Sequence, residues 1–197
     1  RRLYRESLRQ EAMRKELELA SRMQSMLIPD PDLFPRNDKV QVAAFYLPHF
    51  EVGGDYYDFF KLNDHEYGFC IADVSGKGIS AAILMSNFQA NLKALFTAGI
   101  SFTDLIEKLN SRVLSNAKGE KFITLFVARY NSNTKMLQFV NAAHNSPILY
   151  DKETKSLQYL ESGCPGMGML DEIPVIKQES IQITSTKGTK LLCYTDG

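Results

Sequence analysis

The chain is expected to fold as an α+β domain of antiparallel sheet layers flanked by helices, with a separate helix in front. Three observations lead there. The first 27 residues contain neither Gly nor Pro. Two amphipathic helical patterns lie side by side in the middle of the chain. Strand-like runs occur before and after that pair and do not alternate with it, which is unlike a parallel α/β sheet. A length of 197 residues, 44% apolar and 23% charged, suits one globular domain with one appended element.

Residues Arg1 to Leu27 are rich in Arg, Glu, Leu and Met and carry pairs such as Glu11 with Lys15, four apart, which support a helix. Met13, Leu17, Ala20 and Leu27 form a narrow apolar seam that Gln24 interrupts, so the helix needs a partner: its copy in a second subunit, or the helix pair of its own domain. The segment IPDPDLFP, Ile28 to Pro35, forbids further helix and divides the chain into a linker helix, 1–28, and a domain, 29–197. Val40, Val42, Ala44 and Tyr46 then repeat with a period of two and predict a strand. Asp55 to Leu62 and Tyr67 to Asp73, joined by the polar turn Asn63 to Glu66, predict a hairpin. Helices are predicted from Ile79 to Phe96 and from about Thr103 to Asn116, the second with Ser101 or Thr103 as cap. Short apolar runs at Phe122 to Tyr130, Met136 to Val140, Ile148 to Tyr150, Leu157 to Leu160, Val175 to Ile183 and Leu191 to Tyr194 complete the strands.

Lys plus Arg and Asp plus Glu balance at 23 each, so no global field draws the chain to nucleic acid or an anionic surface. No apolar run approaches the about 20 residues that span a bilayer, and no signal peptide opens the sequence, which reads as cytoplasmic. Cys70, Cys164 and Cys193 lack metal or disulfide spacing and are expected to be reduced and buried.

Three segments set an Asp beside Gly at a predicted strand end: Gly53-Gly54-Asp55, Asp73-Val74-Ser75-Gly76-Lys77-Gly78 and Thr195-Asp196-Gly197. Any one such pair is explained by turn chemistry. Three at consecutive strand ends point to convergent oxygen ligands for hard divalent cations, Mg²⁺ or Mn²⁺, and to a two-metal hydrolytic site. Asp58 lies three residues from Asp55, on the opposite face of an extended strand, and is not read as a ligand. Ser75-Gly76-Lys77-Gly78 lacks the spacing of a phosphate loop, which excludes a nucleotide-binding reading. Lys77 is read as a solvated loop residue and His144 as a structural hydrogen-bond donor, in preference to substrate contacts. His49 and His65 are assigned no role, and Met85, Met167 and Met169 are read as packing residues.

The succession GGDYYDFF, ADVSGKGISAAILMS, NAAHNSPIL, GCPGMGML and YTDG resembles the metal-dependent protein phosphatases of the PPM, or protein phosphatase 2C, class, in the bacterial branch named for stage II sporulation phosphatase E. The resemblance runs from about Leu27 to Gly197. Ala143 stands where a Gly is usual, and Ser146 where a Pro is common. The resemblance implies an αββα sandwich and a phosphoserine/phosphothreonine phosphatase that uses two cations. Asp73 would bridge both ions, the Val74 carbonyl would ligate one, and Asp55 and Asp196 would supply the other acidic groups. A water activated between the cations would attack phosphorus without a covalent phosphoenzyme. Family members carry a further Asp beyond TDG together with closing elements. The chain has none, so it is expected to be C-terminally incomplete and poorly metallated. The resemblance also implies an anti-anti-sigma-like phosphoprotein substrate, an upstream sensor and a possible homodimer through the N-terminal helix. The competing reading is a catalytically silent signalling module built on the same fold.

Overall fold

A computed structural model describes residues 2–47 and 52–196. The first element is a helix, α1, Arg2–Ser25. Arg2–Glu6, Glu11–Lys15 and Arg14–Glu18 form ion pairs four residues apart along it. All six side chains are solvent-exposed, so each pair contributes only about 0.3–0.5 kcal/mol. Leu3, Leu8, Met13, Leu19 and Met23 remain exposed, and the helix buries one side chain, Gln24 in its last turn. The residue that breaks the apolar seam is therefore the one that docks.

The proline segment stops the helix as expected and closes into a single 3-10 turn, Pro31–Leu33, capped by Asp30, whose carboxylate accepts from the Asp32 amide at 3.0 Å. The strand expected over Val40 to Tyr46 does not form among the described residues; only an isolated bridge between Arg36 and Gln41 is present. The alternation is nevertheless real. Val40, Val42, Ala44 and Tyr46 are half-buried while Gln41, Ala43 and Phe45 are exposed, so the chain runs extended against the domain without a ladder partner.

Eight strands and two helices follow: β1 Tyr56–Lys61, β2 Glu66–Val74, α2 Ile79–Leu95, α3 Phe102–Ala117, β3 Ile123–Asn131, β4 Met136–Ala142, β5 Ile148–Asp151, β6 Leu157–Tyr159, β7 Glu179–Gln182 and β8 Thr189–Leu192. All strand pairs are antiparallel, in a five-stranded sheet ordered β1-β2-β3-β4-β7 and a three-stranded sheet ordered β6-β5-β8. The expected run Val175 to Ile183 shortens to β7, because the Lys177 amide bonds the Gly163 carbonyl at 3.2 Å and not a neighbouring strand. Ser101 caps α3, its hydroxyl accepting from the Asp104 amide at 3.0 Å.

Alternation along β3 divides the core into two layers. Ile123, Leu125 and Val127 face α2 and α3, where Met85, Phe88, Leu92, Leu105, Ile106 and Leu109 are buried against them. Phe126 and Ala128 face the second sheet, packing with Phe139, Leu149 and Leu160. The result is an α+β sandwich of two antiparallel sheets with α2 and α3 on the outer face of the larger one. Cys70 and Cys164 are buried, Cys193 is half-buried and all three are free thiols. No helix among the described residues is long and apolar enough to cross a membrane.

Asp58 is neither a surface residue nor a member of the Asp73 cluster. It is 5% exposed on the helix-facing side of β1, where it accepts from the Tyr56 hydroxyl at 2.5 Å and pairs with Lys93 of α2 at 3.2 Å. The ion pair thus ties α2 to the sheet edge.

Candidate active site

Asp55 lies just before β1 and Asp73 near the end of β2, and the antiparallel pairing of these strands brings the two together. The approach is close: the Val74 amide donates to the Gly54 carbonyl at 3.2 Å, and a Cβ placed on Gly54 would lie 3.0 Å from the Val74 carbonyl oxygen. Only glycine lets these two backbones meet without displacement. Asp196 arrives from the other sheet, four residues past the end of β8. The three carboxylates expected from the sequence therefore converge from both layers of the sandwich, while Gly197 and His49 lie outside the described residues.

Their mutual charge is evident in the acidities. Asp73 is pushed up to about 6, first by burial, then by the Asp55 and Asp196 carboxylates, with a hydrogen bond to Asp55 acting in the same direction. Asp55 is also raised, mainly by burial and with Asp196 adding to it, against hydrogen bonds from Thr195 and Asp73 that favour its anion. Tyr46, from the extended segment, is pushed up to about 12 by burial and then by Asp55 and Tyr57. Carboxylates that repel one another in a half-buried place are relieved by a shared proton or by a counter-charge.

The loop after Asp73 is fixed by the two residues that lead into β3. The Ser75 amide donates to the Phe122 carbonyl at 2.9 Å, the Phe122 amide donates to the Ser75 hydroxyl at 2.9 Å, and the Lys121 ammonium bonds the Ser75 carbonyl at 3.1 Å. Gly76, at φ +79°, sits where a Cβ would be 2.8 Å from that ammonium. Lys77 is exposed on this loop. A cleft of about 300 Å³ opens above, lined by Asp73, Ser75, Gly76, Phe122, His144 and Asp196 among others. A larger hollow of about 430 Å³ lies under the proline segment, away from the three carboxylates, and the chemistry points to the smaller cleft.

Thr124, His144, Asn145 and Thr195 line this cleft although residue-by-residue reading assigned none of them to it. Thr124 was legible only through register, since it is the cross-strand partner of Asp73. His144 is held from both ends. Its amide donates to the Asn141 side chain at 2.9 Å, and its Nδ1 lies 2.8 Å from the Thr124 hydroxyl. Ala143 before it takes φ +54°, the left-handed conformation that explains why a glycine is usual there. Burial lowers His144 to about 4, against the Tyr194 backbone and the Asp196 charge, which favour its proton.

Among the described residues no three His, Cys, Asp or Glu side chains close into a ready-made metal cage. The donor set still fits hard cations: Asp55, Asp73 and Asp196 offer oxygen only, and Mg²⁺ or Mn²⁺ characteristically keep several waters instead of filling their shell with protein atoms. An open, repelling trio of carboxylates suits such ions better than a soft or tetrahedral metal.

The sequence profile of the family described as Stage II sporulation protein E (SpoIIE) matches residues 63–197. Phosphoserine phosphatase RsbP of Bacillus subtilis (strain 168) is 28% identical over 188 residues, covering 93% of this chain and 45% of that protein. Phosphoserine phosphatase RsbU of the same organism is 28% identical over 188 residues, covering 95% of this chain and 54% of that protein. The chain thus spans about half the length of these curated relatives. Among solved structures, the SiaA-PP2C domain of Pseudomonas aeruginosa superposes with a TM-score of 0.71 at 17% identity, over 89% of this chain and 69% of that one. The PP2C phosphatase domain of SpoIIE from Bacillus subtilis, with a fragment of its regulatory domain, gives 0.63 at 19% identity, over 74% and 42%. At these identities the structural likeness establishes the fold.

Proposed function

The chain belongs to the stage II sporulation protein E family, and from that premise we propose that it is a divalent-metal-dependent phosphatase acting on phosphoserine or phosphothreonine of a regulatory protein. The observation that carries the reading is the clustering of Asp55, Asp73 and Asp196, the last two lining one cleft, with Asp73 held at about 6 by burial and by its two neighbours. Mg²⁺ or Mn²⁺ ions held by Asp55, Asp73, the Val74 carbonyl and Asp196 would supply an acidified water and neutralise phosphoryl oxygens. The chain's own part is placement. Gly54 against Val74 sets the separation of the Asp55 and Asp73 backbones, and the bonds from Lys121 and Phe122 keep the Ser75 loop from collapsing into the cleft. Among the described residues no Cys lines the cleft, and water is the proposed nucleophile.

An anti-anti-sigma-like phosphoprotein substrate, which the family resemblance implies, and a cytoplasmic location are part of the same proposal. The division into a linker helix, 1–28, and a phosphatase domain, 29–197, is supported by α1 burying only Gln24. The Gln24 amide group donates to the Gly53 carbonyl at 2.6 Å and accepts from the Gly53 amide at 2.9 Å, two residues from Asp55. An upstream sensor, or a second subunit pairing along the exposed Leu and Met residues of α1, would therefore act next to the Asp55 loop.

Phosphate release from a phosphoserine peptide by the intact protein, with Mn²⁺, Mg²⁺ or EDTA, tests the proposal. Turnover should depend on metal and vanish in Asp73→Ala with unchanged circular dichroism. Bound metal without turnover would favour the silent signalling module, and turnover indifferent to EDTA would overturn the metal chemistry.

A further inference from the structure

Among the described residues, His144 is the cleft side chain that is at once almost fully buried and incompletely bonded. It is 5% exposed, and its Nε2 has no hydrogen-bond partner. A buried polar atom left without a partner is destabilising, so such atoms persist where a ligand or water completes them. Its ring lines the same cleft as Asp73 and Asp196.

The tautomer follows from the opposite nitrogen. Thr124 Oγ1 is 2.8 Å from Nδ1 but 3.5 Å from the Asp73 carbonyl, at the limit of a hydrogen bond. With the hydroxyl hydrogen directed to Nδ1, the nearer of the two acceptors, Nδ1 carries a lone pair and the ring's own hydrogen is on Nε2, the tautomer the proposal takes. The Tyr194 backbone is close enough to favour a proton on the ring, yet gives Nε2 no hydrogen bond of acceptable geometry. Nδ1 faces a hydroxyl and not a carboxylate, so nothing on that side stabilises an imidazolium, and burial favours the neutral ring. His144 is thus equipped to donate a hydrogen bond and keep its proton.

We propose that His144 Nε2–H is a substrate-facing catalytic donor that binds a non-bridging oxygen of the phosphoryl group in the cleft. The assignment rests on the phosphatase reading for the identity of its ligand. During hydrolysis the bond from water oxygen to phosphorus forms, the bond from phosphorus to the serine oxygen breaks, and the proton released by the water ends on the serine. His144 transfers none of these protons. It stabilises charge on the phosphoryl oxygens, a role in which one donor is worth about 10²- to 10³-fold in turnover. The structural role expected for this residue is real, through Thr124, and serves to aim the other nitrogen.

Two measurements on the intact protein test this. Long-range ¹H–¹⁵N correlation on the metal-free, histidine-labelled protein should find His144 protonated at Nε2, with assignment by loss of the signal in His144→Gln; protonation at Nδ1 overturns the proposal. Calorimetric titration of the Mg²⁺-loaded protein with inorganic phosphate should then show at least tenfold weaker binding in His144→Ala. In His144→Gln, whose side-chain amide keeps a donor near the position of Nε2, binding should remain within about threefold, with Mg²⁺ affinity unchanged in both. Equal losses in the two variants, no loss in either, or a loss confined to Mg²⁺ affinity would each refute a substrate-facing donor; the last would make His144 a strut between β3 and the Asp196 segment. Phosphate binding that depends on His144 without turnover of phosphoserine would sink the phosphatase reading and leave this site standing. Turnover that is unchanged in His144→Ala would do the reverse.

Discussion

Replacing Asp73 by Asn in the metal-free protein should raise its stability while removing its activity. A carboxyl held at about 6 against an ordinary 3.8 is disfavoured as an anion at neutral pH. Taken at face value the difference corresponds to about 3 kcal/mol, and screening at a half-buried site reduces it to about 1–2 kcal/mol. The sign follows from proton linkage. The folded state holds the Asp73 proton more tightly than the unfolded chain, so metal-free stability falls as pH rises from the unfolded value through about 6. Asn has nothing to ionise and escapes this loss. For a chain of 197 residues the gain is a melting temperature higher by about 2–8 °C at pH 7.5 in EDTA, shrinking towards zero near pH 4. Differential scanning calorimetry across that range, with phosphoserine-peptide turnover measured in parallel, reads both arms. If Asp73→Asn melts below the wild type in EDTA at pH 7.5, or its advantage persists unchanged at pH 4, the carboxylates are not in electrostatic conflict and the argument for a cation between them fails.

Ala143→Gly should stabilise the fold by about 1 kcal/mol in urea denaturation, because Ala143 occupies φ +54° and glycine does so without a Cβ clash; a neutral or destabilising result would mean that the unfolded-state freedom of glycine outweighs the strain. Asp58→Ala leaves the buried Tyr56 hydroxyl without its acceptor and Lys93 without its partner, and should destabilise by about 2–3 kcal/mol in the same assay. Deleting residues 1–26 removes the Gln24 clasp on Gly53 and should change the metal dependence of turnover, or the mass measured by light scattering, without unfolding the rest. A deletion variant identical in both would make α1 an inert tether.

Long-period features of the fold were legible because each reports burial of one whole face. The helical stripe of Leu105, Ile106, Leu109 and Val113 faces the five-stranded sheet as its spacing demands, and the hairpin over Tyr56 to Val74 closes on Asn63 to Glu66. The segment around Val40 shows where the logic stops. A period of two records that alternate side chains lean on the domain, and it is silent on whether a neighbouring backbone offers a ladder. Strand length at β7 failed for a related reason: the Lys177 amide found the Gly163 carbonyl, a partner 14 residues away that no local pattern announces.

The site divides along the same line. Asp55 and Asp196 were readable because each stands beside glycine, and Asp73 because Gly76 and Gly78 follow it; the β1–β2 register and the segment after β8 bring the three carboxylates near one another. Asp58 shares a motif with Asp55 and carries the same chemistry, yet its side chain is committed to Tyr56 and Lys93 in the core. Face alternation separated the two; only packing could show that the second carboxylate anchors α2. The contributions of Thr124 and Gln24 depend on register and docking, over separations of 20 and 29 residues to His144 and Gly53. A sequence names residue types and local spacing, so it finds groups that must be carboxylates. It passes over a threonine whose value is one hydroxyl aimed at one nitrogen, and that aim decides which face of His144 is free for a phosphoryl oxygen.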